Sequence, residues 1–170
     1  MKIKTYIAFI ILTLGLQHVM NAQENDEIFT IYLVRHAEKE LSVKNPPLTE
    51  CGQQRAKSLS TFLKEVNLDA IYSTDYVRTQ STAKPTATIK GLDIKSYNPR
   101  KLKDFASLLL YRKEDALVVG HSNTTGVLAG ILVNEKIGAF NETIYNRIYQ
   151  VVVYKDTGRL HIFHTDFTCN

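Results

Sequence analysis

Four side chains in this sequence could do chemistry together: Arg35, His36, Arg78 and His121. Ile31-Tyr32-Leu33-Val34 is an apolar, β-prone run that ends abruptly on Arg35-His36. Ala116-Leu117-Val118-Val119 is a second such run, and it ends on Gly120-His121-Ser122-Asn123-Thr124. Arg78 lies just beyond a third, Asp69-Ala70-Ile71-Tyr72-Ser73. Ligand sites in open α/β sheets lie beyond the carboxyl ends of strands, so three such ends side by side would form one cationic cup. That cup suits a phosphate. Arginine forks match its oxygens bidentately, and a neutral imidazole can attack phosphorus in line. An Arg-His pair on its own would mark only a strand end running into solvated residues.

The elements that must position these residues are legible in outline. Asn45-Pro46-Pro47 breaks the chain after the first strand, and Thr49 is placed to cap a helix. Ala56, Leu59, Phe62, Leu63 and Val66 recur at helical spacing, which predicts an amphipathic helix of about four turns. Ser73 or Asp75 could cap the next helix, carrying Arg78, Thr79, Gln80 and Ala83 until Pro85 disturbs it. Ile94 to Tyr97 reads as a strand, and Leu102, Phe105, Leu108 and Leu109 as another helix. A helix through Leu132 follows the second apolar run. Ile148 to Tyr154 and Leu160 to Phe163 flank Asp156-Thr157-Gly158, a hairpin signal. Alternating strands and helices predict an α/β fold, a three-layer α/β/α sandwich with a largely parallel central sheet.

Composition narrows the function classes. A chain of 170 residues with 44% hydrophobic and 22% charged residues has the make-up of one globular domain. Lys2 and Lys4 precede an apolar run from Tyr6 to Leu16, and Met20-Asn21-Ala22 offers a small residue before Gln23. That is the layout of a secretory signal peptide, too short to span a bilayer. Residues 1–22 are therefore expected to be a cleaved leader and 23–170 the folded domain, secreted or periplasmic, with no stable membrane anchor after cleavage. The leader carries two lysines and no acid, so its removal lowers the formal charge from +4 to +2. No clustered basic face suggests a nucleic-acid partner. Cys51 and Cys169 could pair in an exported protein, and no Cys-His spacing suits zinc.

Four segments carry a resemblance to a known family. Leu33-Val34-Arg35-His36-Ala37-Glu38 resembles the signature of the histidine phosphatase (phosphoglycerate mutase-like) superfamily, with Ala37 where glycine is commoner. Leu48 to Ala56 resembles its Leu-Thr-x-x-Gly-x-x-x-Ala element, Ser73 to Ala83 its second-arginine helix, and Val118 to Thr124 its second-histidine turn. The resemblance implies a phosphatase of phosphorylated small molecules or phosphoproteins that uses neither metal nor cofactor. His36 would be the nucleophile that becomes a phosphohistidine. Arg35, Arg78 and His121 would hold the phosphoryl oxygens, and Asn123 would add a hydrogen bond or cap the next helix. Ser73 and Thr79 would be caps or supporting contacts.

The chain departs from the family at the proton donor. Arg78 and His121 are separated by 43 positions, too few for the insertion that carries an acid in one branch. Ser122 stands where the acid phosphatase and phytase branch has aspartate. Glu38 is the nearest candidate acid, with Asp104 behind it, and the compact plan resembles the small phosphohistidine-phosphatase-like members. Export and the missing insertion both argue against a glycolytic mutase. Two other readings compete: a non-catalytic phosphate-binding relative, and a serine hydrolase. Gly120-His121-Ser122-Asn123-Thr124 nearly spells a nucleophile elbow, with Asp156, His161, His164 and Asp166 downstream. That last reading leaves Arg35, His36 and Arg78 without a purpose.

Overall fold

The computed structural model describes residues 28–41, 43–155 and 157–169. The elements follow the expected alternation: β1 (Ile28–Arg35), α1 (Glu50–Phe62), β2 (Ala70–Thr74), α2 (Val77–Lys90), β3 (Ile94–Tyr97), α3 (Leu102–Arg112), β4 (Ala116–Gly120), α4 (Thr125–Val133), β5 (Arg147–Tyr154) and β6 (Thr157–His164). The strands form one sheet in the order β3-β2-β4-β1-β5-β6. Its first four are parallel, while β5 and β6 run antiparallel as a hairpin.

Side-chain alternation along β1 builds the layers. Ile31 and Leu33 point to one face, where they pack with Phe105 and Leu109 of α3 and Leu128 and Leu132 of α4. Val34 points to the other face, toward Leu59 of α1 and Ala83 and Ala87 of α2. A strand buried on both faces must be apolar throughout, which is why the run before Arg35 does not alternate with polar residues. The result is the three-layer α/β/α sandwich with a mostly parallel centre.

The same topology makes the crevice. The chain leaving β1 passes to α1 on one face, while the chain leaving the adjacent β4 passes to α4 on the other. Connections that part in this way leave a gap beyond the carboxyl ends of the two strands. β2 lies on the far side of β4, so all three chemistry-bearing strand ends are neighbours.

Local differences from expectation have local causes. Thr49 does cap α1, accepting from the Gly52 N–H at 3.0 Å. The helix stops at Phe62, however, which is exposed, and Leu63 takes the inward position instead. α2 runs through Pro85 to Lys90. Thr79, Thr82, Ala83, Thr86 and Ala87 are buried on either side of the proline, and this packing outweighs the one missing backbone bond. Neither Ser73 nor Asp75 caps α2: Ser73 Oγ donates to the Thr74 carbonyl, and Asp75 accepts from Gln80. The proposed leader, the turn residue Asp156 and the chain end at Asn170 lie outside the described residues. Among described residues, no helix is long and apolar enough to cross a membrane.

A clasp holds the C-terminal segment. Cys51, in the first turn of α1, is disulfide-bonded to Cys169 across 118 positions. Beside it the Arg55 guanidinium grips both oxygens of Glu38, at 2.6–2.9 Å, and donates to the Phe167 carbonyl at 3.2 Å. Gly52 is required underneath, since a Cβ there would lie 2.1 Å from the Glu38 carbonyl oxygen. A crosslink closing a loop this long removes much unfolded-state entropy, so losing it should cost about 2–5 kcal/mol. The double substitution Cys51→Ser with Cys169→Ser, followed by urea denaturation, measures this. A reductant should lower the wild-type midpoint to that of the double variant and leave the variant unmoved.

Candidate active site

β1 delivers Arg35 as its last residue and His36 just past it; β4 delivers Gly120 and then His121. The His36 N–H donates to the Gly120 carbonyl at 2.9 Å, extending the β1–β4 pairing by one residue. This brings the two imidazoles edge to face, 5.5 Å between ring centroids. Gly120 is needed at this crossing, because a Cβ would meet the Tyr97 hydroxyl at 2.6 Å and Thr124 Oγ1 at 2.9 Å. Arg78 enters from the first turn of α2. Arg35, His36, Arg78, His121 and Asn123 all line one open cup of about 380 Å³, with Lys39, Arg100 and Glu142 also on its wall.

His36 is held in one orientation. It is only 3% exposed, and its Nδ1–H donates to the Ala37 carbonyl at 2.8 Å. The Ala37 N–H in turn donates to Thr82 Oγ1 of α2 at 2.9 Å, anchoring the turn. With Nδ1 carrying the proton, Nε2 keeps its lone pair. Burial, with help from Arg35, His121 and Arg78, pulls the His36 pKa down to about 3. Burial and the two arginines lower His121 to about 4. Both rings are therefore neutral at physiological pH in the empty cup, which is the form a nucleophile needs.

The two arginines differ. Arg35 is buried under the segment before β5: Nη1 donates to the carbonyls of Glu142 and, at 3.4 Å, Ile144. Its guanidinium carbon lies 4.1 Å from the Tyr145 ring centroid. Arg78 makes no such backbone bonds and rests 4.4 Å over the Tyr76 ring, leaving its fork open to the cup. The Nε atoms of both arginines are buried without a partner. A buried donor left unsatisfied costs free energy, and an anion between the guanidinium groups would relieve it.

The neutral histidines make stability pH-dependent. An unfolded chain takes up protons at both histidines below about pH 6.5, while the folded chain resists until nearer pH 3 to 4. Stability is therefore fullest above pH 6.5 and is lost as pH falls toward 4, by about 1.4 kcal/mol per pH unit at most for His36. Denaturant midpoints at pH 4.5, 5.5 and 6.5 should show this slope, and His36→Asn should flatten it.

Glu38 does not line the cup: its carboxylate is turned into the clasp, bonded by Arg55 and close to Cys169. The sequence places Glu38 two positions from His36, but the chain has already left β1 at Arg35, so strand alternation no longer sets its direction and Arg55 holds its carboxylate in the clasp. Asn123 lines the cup, and α4 is capped by neither it nor any other side chain. Ser122 is buried, and among described residues no histidine is hydrogen-bonded to it, so no serine–histidine pair is assembled. His161 and His164 are exposed on edge strand β6.

Sequence reasoning did not find Tyr145, Glu142 or Thr74. Tyr145 and Glu142 lie in an irregular segment, 134–146, with no periodic pattern to place it. Thr74 is the last residue of β2, and only the β2–β4 adjacency reveals that it meets His121.

Comparison with known proteins agrees with this geometry. Residues 31–100 match the model of the histidine phosphatase superfamily, branch 1. A protein of Escherichia fergusonii named probable phosphoglycerate mutase GpmB is 33% identical over 100 residues, covering 55% of this chain and 46% of its own length. This chain thus spans less than half of that relative. Among solved structures, the protein histidine phosphatase SixA complexed with tungstate superposes with a TM-score of 0.69 at 15% identity, covering 80% of this chain and 97% of that one. The alpha-ribazole phosphatase from Shigella flexneri gives 0.67 at 15% identity, covering 81% and 96%; at such identities the likeness speaks for the fold. The segment that matches the histidine phosphatase superfamily holds the Arg35-His36 strand end and Arg78, and the fold brings His121, from outside that segment, into the same cup.

Proposed function

We propose that this protein is an exported phosphatase that hydrolyses a phosphomonoester or a phosphoprotein through a phosphohistidine on His36. The observation that carries the reading is the pair of buried, unpartnered arginine Nε atoms flanking a tautomer-fixed imidazole in one open cup. The phosphate group occupies the space between Arg35, Arg78 and His121. His36 Nε2 attacks phosphorus, the bond from phosphorus to the leaving group breaks, and the leaving group departs as its anion and takes a proton from solvent. Water then attacks the phosphohistidine, releasing inorganic phosphate and restoring neutral His36. Arg78 supplies the open fork to the in-flight oxygens, and Arg35 supplies charge fixed in place by the segment carrying Glu142 and Tyr145. Donors preorganised toward developing charge are usually the largest catalytic contribution.

Export is supported by the leader-like first 22 residues and by the Cys51–Cys169 disulfide, a bond that persists in oxidising compartments. A phosphate-release screen over aryl phosphates, phosphosugars and phosphohistidine proteins tests the activity. Release from none of them would leave a phosphate-binding relative; labelling of Ser122 by a fluorophosphonate would revive the hydrolase reading.

A further inference from the structure

The two imidazoles of the cup are held by opposite nitrogens. His36 is held through Nδ1 by a carbonyl. His121 is held through Nε2, which lies 3.0 Å from Thr74 Oγ1. Thr74 Oγ1 lies 3.0 Å from Thr79 Oγ1, and Thr79 Oγ1 is 2.8 Å from the Thr74 carbonyl and 2.9 Å from the Tyr76 carbonyl. Both threonines are fully buried, so no solvent competes for these bonds.

The direction of this chain follows from its far end. A carbonyl only accepts, and a hydroxyl has a single proton to donate. Thr79 donates to a carbonyl, so it accepts from Thr74; Thr74, its proton committed, accepts from His121 Nε2–H. The His121 main chain is gripped as well: its N–H donates to Thr124 Oγ1 at 2.9 Å, and its carbonyl accepts from Thr125 Oγ1 at 3.0 Å. These bonds fix the backbone that carries the ring, and the Thr74 contact fixes which nitrogen faces β2.

Neutral His121 therefore turns the Nδ1 lone pair toward the cup, where a phosphoryl oxygen would meet it with repulsion. Resting on the oxyanion reading of the cup, we propose that Thr74 and Thr79 are positioning residues that fix His121 as its Nε2–H tautomer, so that an oxyanion entering the cup brings one solvent proton onto Nδ1. The ring then donates from both nitrogens, Nε2–H to Thr74 and Nδ1–H to the bound oxygen. The groups facing it are Arg35 at the end of β1 and His36 just past it, Tyr76 just before α2 and Arg78 in its first turn, with Lys39, Arg100 and Glu142 on the wall. The arginines oppose protonation while the cup is empty, and an incoming dianion reverses the local sign.

Sulfate tests this, being a tetrahedral dianion with no proton to give or take near neutral pH. Isothermal titration at pH 6 in buffers of different ionisation enthalpy counts protons taken up per sulfate bound. Wild type and Thr74→Ser, which keeps the hydroxyl, should take up close to one; the near-isosteric Thr74→Val and His121→Gln should take up less than about 0.3. Binding to wild type without uptake would mean that the hydroxyl chain reverses, Thr79 donating to Thr74 and Thr74 to Nε2, and would overturn the proposal. Equal uptake in Thr74→Val would overturn the role of the threonines. Absence of any sulfate binding would instead remove the oxyanion reading of the cup, and this inference with it.

Discussion

Replacing His36 with alanine is expected to abolish turnover, by roughly 10⁴-fold or more, the scale on which losing a covalent nucleophile is felt. Of the two histidines that line the cup among the described residues, His36 keeps its Nε2 free, since His121 commits its own Nε2 to Thr74. Rapid quenching of wild-type protein with radiolabelled substrate should trap an acid-labile, alkali-stable label, and His36→Ala should trap none. The neighbouring positions give the contrast. Arg78→Lys keeps the charge but loses the fork, so it should lose about 10²–10³ in kcat while still forming label slowly. Ser122→Ala should be mild, because Ser122 makes no bond to either histidine. A labelled and fully active His36→Ala would falsify the nucleophile assignment.

What the sequence made legible follows from which interactions are local. Strand ends announce themselves because an apolar run buried on both faces cannot continue into Arg35-His36 or Gly120-His121. The Thr49 cap is a contact over three residues and was equally readable. Pro85 misled because propensity is local, whereas the burial of Thr82, Ala83, Thr86 and Ala87 is not. Glu38 misled for a related reason: nearness in sequence to His36 says nothing of direction, and its partner Arg55 is 17 positions away. Pairing of Cys51 with Cys169, and the Tyr145 ring beneath Arg35, close across more than a hundred residues. No periodicity carries such information.

The position of Glu38 sharpens the expectation for substrates. Departure of an alkoxide needs a proton, and a positioned general acid typically supplies about 10²–10⁴ in rate. Glu38 is enclosed by Arg55 and the disulfide, outside the cup, and Asp104 belongs to α3 and does not line it either. His121, if protonated on binding, directs its proton at an oxygen of the transferred group. Aryl phosphates, whose phenoxides depart without assistance, should therefore be turned over about 10² or more faster than alkyl phosphates at comparable binding. The measurement is single-turnover phosphorylation of His36 across esters of graded leaving-group pKa. Glu38→Gln should leave that slope unchanged while lowering stability, because it removes the charge from a bidentate pair with Arg55. Glu142 is the one carboxylate among the residues lining the cup, and Glu142→Gln is the decisive comparison. An unchanged steep slope in that variant is the expected result. A shallow wild-type slope that steepens in Glu142→Gln would show that the segment holding Arg35 also carries the acid, and that alkyl esters are proper substrates of this cup.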